Sequence, residues 1–131
     1  MKNLNITGLL IALAIMVSST GQVHAQKTQK KTLRHVVLFK FKESSGAADV
    51  KAVEDAFAGL AKKISLIREF EWGTNNSPEN LNQGLTHCFL VTFSSEKDRD
   101  AYLVHPEHQA FVEILKPHLD KVTVIDYWVN Q

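Results

Sequence analysis

The chain has 131 residues, 44% of them hydrophobic and 22% charged, a composition suited to one globular domain with a single core. Its 15 basic and 14 acidic residues nearly cancel, and no dense basic stripe is present, which argues against nucleic-acid binding. The single cysteine, Cys88, rules out an internal disulfide; its place in an apolar strand predicts a buried, inert thiol.

Residues 1–25 stand apart. Lys2 is followed by the short apolar run Leu9 to Val17 and then by the small-residue pattern Val23-His24-Ala25. The run is too short to span a bilayer core of roughly 30 Å, so it reads as a secretory signal cleaved after Ala25. The expected product is periplasmic or extracellular, has no membrane anchor and is formally neutral, because the signal removes Lys2 and no acid. Gln26 to Thr32, with Lys27, Lys30 and Lys31, reads as a solvated, flexible lead-in to a domain over residues 33–131.

Alternation predicts a first strand over Arg34–Lys42, with His35, Val37, Phe39 and Phe41 on one face and Val36 and Leu38 on the other. From Ala47 to Ile64 the period becomes helical, and Val50, Val53, Phe57, Leu60 and Ile64 form one apolar stripe. Ile67–Thr74 is the second expected strand, with Phe70 and Trp72 opposite Glu69 and Glu71. A polar loop follows to Gly84, and Leu85–Phe93 is the third strand, carrying His87 and Phe89 on one face. Ser95-Glu96-Lys97-Asp98 resembles a capping box, so a helix begins there, runs to about Val104 and restarts at Pro106. Lys121–Val129 closes the chain, with Val122, Val124, Asp126 and Trp128 on one face.

The order β-α-β-β-α-β implies an α+β, ferredoxin-like fold: a four-stranded antiparallel sheet with helices on one face. Strands one, three and four are apolar on both faces, and helices cover only one. A bare apolar sheet face is rare in soluble monomers, so a homodimer packed sheet to sheet is expected.

The chemistry-bearing stretch is Tyr102-Leu103-Val104-His105-Pro106-Glu107-His108. A histidine with an ordinary pKa near 6.5 can accept and return a proton, and a tyrosine can donate a hydrogen bond to a carbonyl or enolate oxygen. On one unbroken helix Tyr102 and His108 would diverge by about 120°; a break at Pro106 is needed to aim both at one pocket. Otherwise Tyr102 packs on the sheet. His105 reads as the cap of the second helical segment. His35 and His87 lie on apolar strand faces, either as satisfied core residues or as pocket groups. Asp126 needs a partner when buried, and a histidine or the backbone can supply it. His105 and His108 with His87 or Asp126 make a weaker metal arrangement; neither a metal nor a cofactor is expected.

The segments Arg34-His35-Val36-Val37-Leu38-Phe39-Lys40-Phe41-Lys42, Trp72-Gly73, Thr86-His87, Tyr102-x-x-His105-Pro106-x-His108-x-x-Phe111 and Asp126-Tyr127 resemble the stress-responsive dimeric α/β-barrel (Dabb) family over Leu33 to Val129. The resemblance implies a dimer whose two sheets build a barrel-like core. It further implies ring-closing, aldol-type chemistry of the kind performed by a plant polyketide cyclase. His108 would then be the general base, Tyr102 the helix tyrosine, His35 the first-strand histidine and Asp126 the orienting carboxylate. Phe57 departs from that cyclase, which has a pocket tyrosine there. The expected pocket lining is His87, Phe57, Phe39, Phe89 and Trp72, around a small, oxygenated, hydrophobic ligand on which cyclase- or lyase-like acid–base chemistry is expected. The alternative is a non-catalytic stress-related binding or structural dimer.

Overall fold

The computed structural model describes residues 31–130. The signal expected at residues 1–25, its cleavage point, and the lead-in up to residue 30 lie outside the described residues. The elements are β1 (Leu33–Phe41), α1 (Ala47–Lys63), β2 (Glu69–Thr74), β3 (His87–Phe93), α2 (Glu96–Leu103), α3 (Pro106–Leu115) and β4 (Leu119–Trp128). The strands form one antiparallel sheet in the order β2-β3-β1-β4. This is the ferredoxin-like arrangement that the element order implied.

Local chemistry accounts for the helix boundaries. Asp49 accepts a hydrogen bond from the Gly46 backbone N–H at 3.0 Å, closing the first turn of α1, and Lys62 and Lys63 lie at its negative end. The Ser95 hydroxyl accepts from the Asp98 N–H at 3.1 Å and starts α2. Val53, Phe57, Leu60 and Ile64 are buried against the inward faces of the strands. At the centre Phe57 stacks on Phe89 with ring centroids 4.4 Å apart, and Phe39 meets Phe89 at 5.2 Å.

Several expected ends shift. Strand three starts at His87, because Gln83 and Gly84 adopt left-handed backbone and Leu85 N–H bonds back to Asn82 within a turn. Strand two starts at Glu69, because Ile67 N–H closes a turn onto Ile64. Strand four starts earlier, at Leu119, which pairs with Phe41 past a register shift after Lys40. Cys88 is also a correction. It is exposed on the helix-free face, because its neighbours His87 and Phe89 take the inward positions and side chains alternate.

Two features of the sheet position the site. On the inward side Val122 pairs with Phe39 and Val124 with Val37, yet Val122 and Val124 stay 46% and 51% exposed. The helices thus leave the inward side of edge strand β4 open. On the outward side Val36 lies in register between Leu90 and Ile125, and Ile125 and Tyr127 are exposed. No helix among the described residues is long and apolar enough to cross a membrane.

Candidate functional site

The site lies where the open inward side of β4 meets the junction of α2 and α3. Val104 ends α2, His105 is extended (φ −66°, ψ 136°), and Pro106 opens α3. The His105 Nδ1 accepts from the Glu107 N–H at 3.2 Å, so this histidine caps α3. The break turns α3 back, and the rings of Tyr102 and His108 come to 4.4 Å between centroids. An unbroken helix would not allow that contact.

These rings line a cavity of about 340 Å³. His35, Val37 and Phe39 of β1 form its floor and Phe57 of α1 and Phe111 of α3 its inner wall. Val122, Val124 and Asp126 of β4 form its open edge. The lining is largely apolar, with the polar groups gathered at one end.

At that end each group has a defined hydrogen-bonding state. His108 Nδ1 lies 3.1 Å from the Leu103 carbonyl; a carbonyl can only accept, so Nδ1 carries the proton and Nε2 holds a lone pair when the ring is neutral. The same carbonyl accepts from Gln109 Nε2 at 2.7 Å, which satisfies an orphan acceptor at the end of α2. Burial pushes the His108 pKa below its ordinary value; the Leu103 hydrogen bond opposes this, and repulsion from His35 and His105 adds to it. Tyr102 is fully buried, and burial alone pushes its pKa well above the ordinary phenol value, so it stays protonated. Its Oη has no hydrogen-bond partner among the described residues.

His35 Nδ1 donates to Asp126 Oδ1 at 2.6 Å, the histidine–aspartate pairing anticipated as one way to satisfy this carboxylate. The other oxygen, Oδ2, accepts from Arg99 Nη1, and Arg99 Nε donates to Asp100 Oδ1 at 2.7 Å. The His35 ring meets Tyr102 edge-on at 6.0 Å and Phe93 at 6.2 Å.

The structure therefore gathers His35, Tyr102, His108, Asp126, Phe39 and Phe57 around one cavity and leaves three anticipated lining residues elsewhere. His87 is bonded at both ring nitrogens, to Glu54 Oε1 at 2.9 Å and to Thr86 Oγ1 at 2.8 Å, as a satisfied core histidine. It lies behind the aromatic wall: it pairs in register with Phe39 and packs on Phe41 and Trp72. Phe89 is fully buried beneath Phe39 and Phe57, and Trp72 stacks on Phe89 at the β2 edge, 41% exposed. Among the described residues no three His, Cys, Asp or Glu side chains group as a metal site.

The model of the stress responsive A/B barrel domain matches residues 33–129. The chain belongs to the stress-responsive A/B barrel (Dabb) family. Among its relatives, the Dabb protein HS1 of Arabidopsis thaliana, a stress-response A/B barrel domain-containing protein, is 39% identical over 98 residues, covering 75% of this chain and 90% of that protein. Olivetolic acid cyclase of Cannabis sativa is 26% identical over 95 residues, 72% of this chain and 94% of the cyclase. A dimeric ferredoxin-like protein of unknown function from Bacteroides fragilis superposes with a TM-score of 0.62 at 28% identity, covering 75% of this chain and 96% of its own.

Two residues of this Dabb chain escaped the sequence reading. Arg99 precedes Tyr102 by three positions, so both fall on neighbouring sides of α2; that spacing was the available signal. Glu54 likewise precedes Phe57 by three on α1, but nothing in the sequence paired it with His87.

Proposed function

We propose that this protein is an exported Dabb homodimer whose cavity binds a small, oxygenated, hydrophobic molecule and moves a proton next to its carbonyl, in cyclase- or lyase-like chemistry. The observation that carries this reading is the Tyr102 hydroxyl: buried, protonated, without a hydrogen-bond partner among the described residues, and on a ring packed against His108. A buried hydroxyl is costly without a hydrogen-bond partner, and a substrate oxygen would provide one.

In this reading the substrate's apolar part lies against Phe39, Phe57 and Phe111, and its carbonyl oxygen reaches Tyr102 Oη by displacing the side chains that close that atom off in the ligand-free protein. The neutral His108 takes the proton adjacent to the carbonyl on Nε2, while Tyr102 stabilises the enolate oxygen. His108 then returns the proton to carbon, or the enolate carbon attacks a second carbonyl and the alkoxide that forms takes the proton from His108. The depressed His108 pKa supports the base role, since the imidazole is neutral around neutral pH. His35, held by Asp126, orients the end of the cavity. Dimerisation is supported by the apolar outward face and by the dimeric relative from Bacteroides fragilis. Export is supported by Lys2, the apolar run and Val23-His24-Ala25.

The test is deuterium exchange at the activated carbon of an alkyl β-diketone, followed by NMR, with thermal shift reporting binding. The wild type should accelerate exchange, His108→Ala should lose on the order of 10²-fold, and Tyr102→Phe should weaken both exchange and binding. If the diketone binds wild type and both variants equally and exchange stays at the buffer rate, the protein is a binding dimer and the catalytic reading is wrong.

A further inference from the structure

The feature this mechanism does not use is Arg99. It reaches from α2 to the outer oxygen of Asp126, whose inner oxygen receives the His35 Nδ1–H. The arrangement is a relay of three groups, Arg99, Asp126 and His35, leading to the polar end of the cavity. The side chains of Arg99, Asp126 and His35 are 19%, 26% and 6% exposed, so the relay runs from an outer ion pair inward to a buried ring. Solvent screens the outer Arg99–Asp126 pair more than the inner His35–Asp126 bond, and the geometry decides which member carries charge. The guanidinium is shared with Asp100, a largely exposed carboxylate that together with Asp126 holds the Arg99 charge in place.

We propose that Arg99 is the positioning residue of the site: its guanidinium neutralises Asp126, so that the carboxylate fixes the His35 tautomer without drawing a second proton onto the ring. The inference rests on the acid–base reading of the cavity for its purpose, but not for its test. The physical argument is one of competition. An aspartate whose only close partner is an imidazole favours the imidazolium, because the opposite charge stabilises it. With Arg99 present, the carboxylate already has a permanent cation on its other oxygen and draws less on the His35 ring whose Nδ1–H it holds.

The other titratable groups facing His35 set the same direction. Tyr102 of α2 is protonated and uncharged. His108 of α3 is electrostatically coupled to His35, so an imidazolium at either position disfavours one at the other. β3 presents the Phe93 ring to His35, and α1 contributes Phe57 to the cavity; neither carries a charge. Loss of Arg99 would therefore charge His35 and, through repulsion, push His108 further from protonation. Arg99 acts on the base without touching substrate.

The experiment is a pH titration of ¹⁵N-histidine-labelled protein by long-range ¹H–¹⁵N NMR, which reads the charge and tautomer of each ring, with His118 as the internal reference. In wild type, His35 should be the neutral Nδ1–H tautomer at neutral pH. In Arg99→Gln its titration midpoint should rise above that of wild type, whereas Arg99→Lys, which keeps the charge, should stay near wild type. Arg99→Ala gives the same reading if Arg99→Gln does not fold. A His35 midpoint unchanged in Arg99→Gln, or an imidazolium already present in wild type at neutral pH, overturns the assignment. Neither result depends on turnover: silent exchange of the diketone with a shifted His35 would overturn the proposed reaction alone, and active exchange with an unshifted His35 would overturn the Arg99 role alone.

Discussion

Replacing Tyr102 by Phe removes one oxygen and leaves the ring. That ring packs on Phe93 at 5.0 Å, His108 at 4.4 Å and His35 at 6.0 Å, all contacts that a phenylalanine can keep. The Oη has no partner among the described residues and is buried. A tyrosine hydroxyl with a protein partner contributes about 1 kcal/mol, whereas a buried one left without costs about 1–3 kcal/mol. Tyr102→Phe should therefore leave the ligand-free protein at least as stable, with a gain of about 1 kcal/mol, or about 4–8 °C in Tm for a domain near 100 residues. Urea denaturation and calorimetry on the same samples would measure it, with m unchanged. Binding should move the opposite way, with the β-diketone losing about one hydrogen bond, roughly a factor of 10 in Kd. A Tyr102→Phe protein less stable by more than about 1 kcal/mol would refute the reasoning. It would mean that the native hydroxyl is already satisfied, and the argument that it awaits a ligand's oxygen would fall with it.

His108 makes stability depend on pH. Its folded-state pKa is lowered by burial, so the unfolded chain takes up the proton first as pH falls below about 6.5. The stability contributed by the neutral ring is present above that pH and is lost as pH falls toward the folded value. Denaturation midpoints should decline on acidification from about pH 7 to about pH 5, and His108→Gln should flatten that decline; an equal slope in both proteins would assign the effect to other groups. On the outward sheet face, Val36 sits in register between Leu90 and Ile125. Val36→Lys places a charge at the centre of the expected interface and should convert a dimer to a monomer by light scattering. A monomeric wild type at micromolar concentration would remove the dimer from the proposal.

Much of the fold is legible in the chain because hydrophobic period is a local property. Alternation in Arg34–Lys42, the stripe from Val53 to Ile64 and the cap at Ser95 each encode an element without reference to distant residues. The two-sided apolar strands likewise encode an outward face that wants a cover. Strand ends were less legible. The start of β3 depends on left-handed Gln83 and Gly84, and the start of β4 on pairing with Phe41, which only the neighbouring strand specifies.

The Tyr102 to His108 stretch shows where sequence stops. Pro106 and the His105 cap specify that a helix ends and another begins, because a proline lacks an N–H and suits the first turn. The angle of the restart, and so the contact between Tyr102 and His108, depends on how α3 packs on α1 and the sheet. His35 and His87 looked alike along the chain, each on an apolar strand face. Tertiary structure separated them: the wall of Phe39, Phe57 and Phe89 puts His35 in the cavity with Asp126 and leaves His87 bonded to Glu54 behind it. Arg99 meets Asp126 only there too, since the two are 27 residues apart in sequence and one hydrogen bond apart in space.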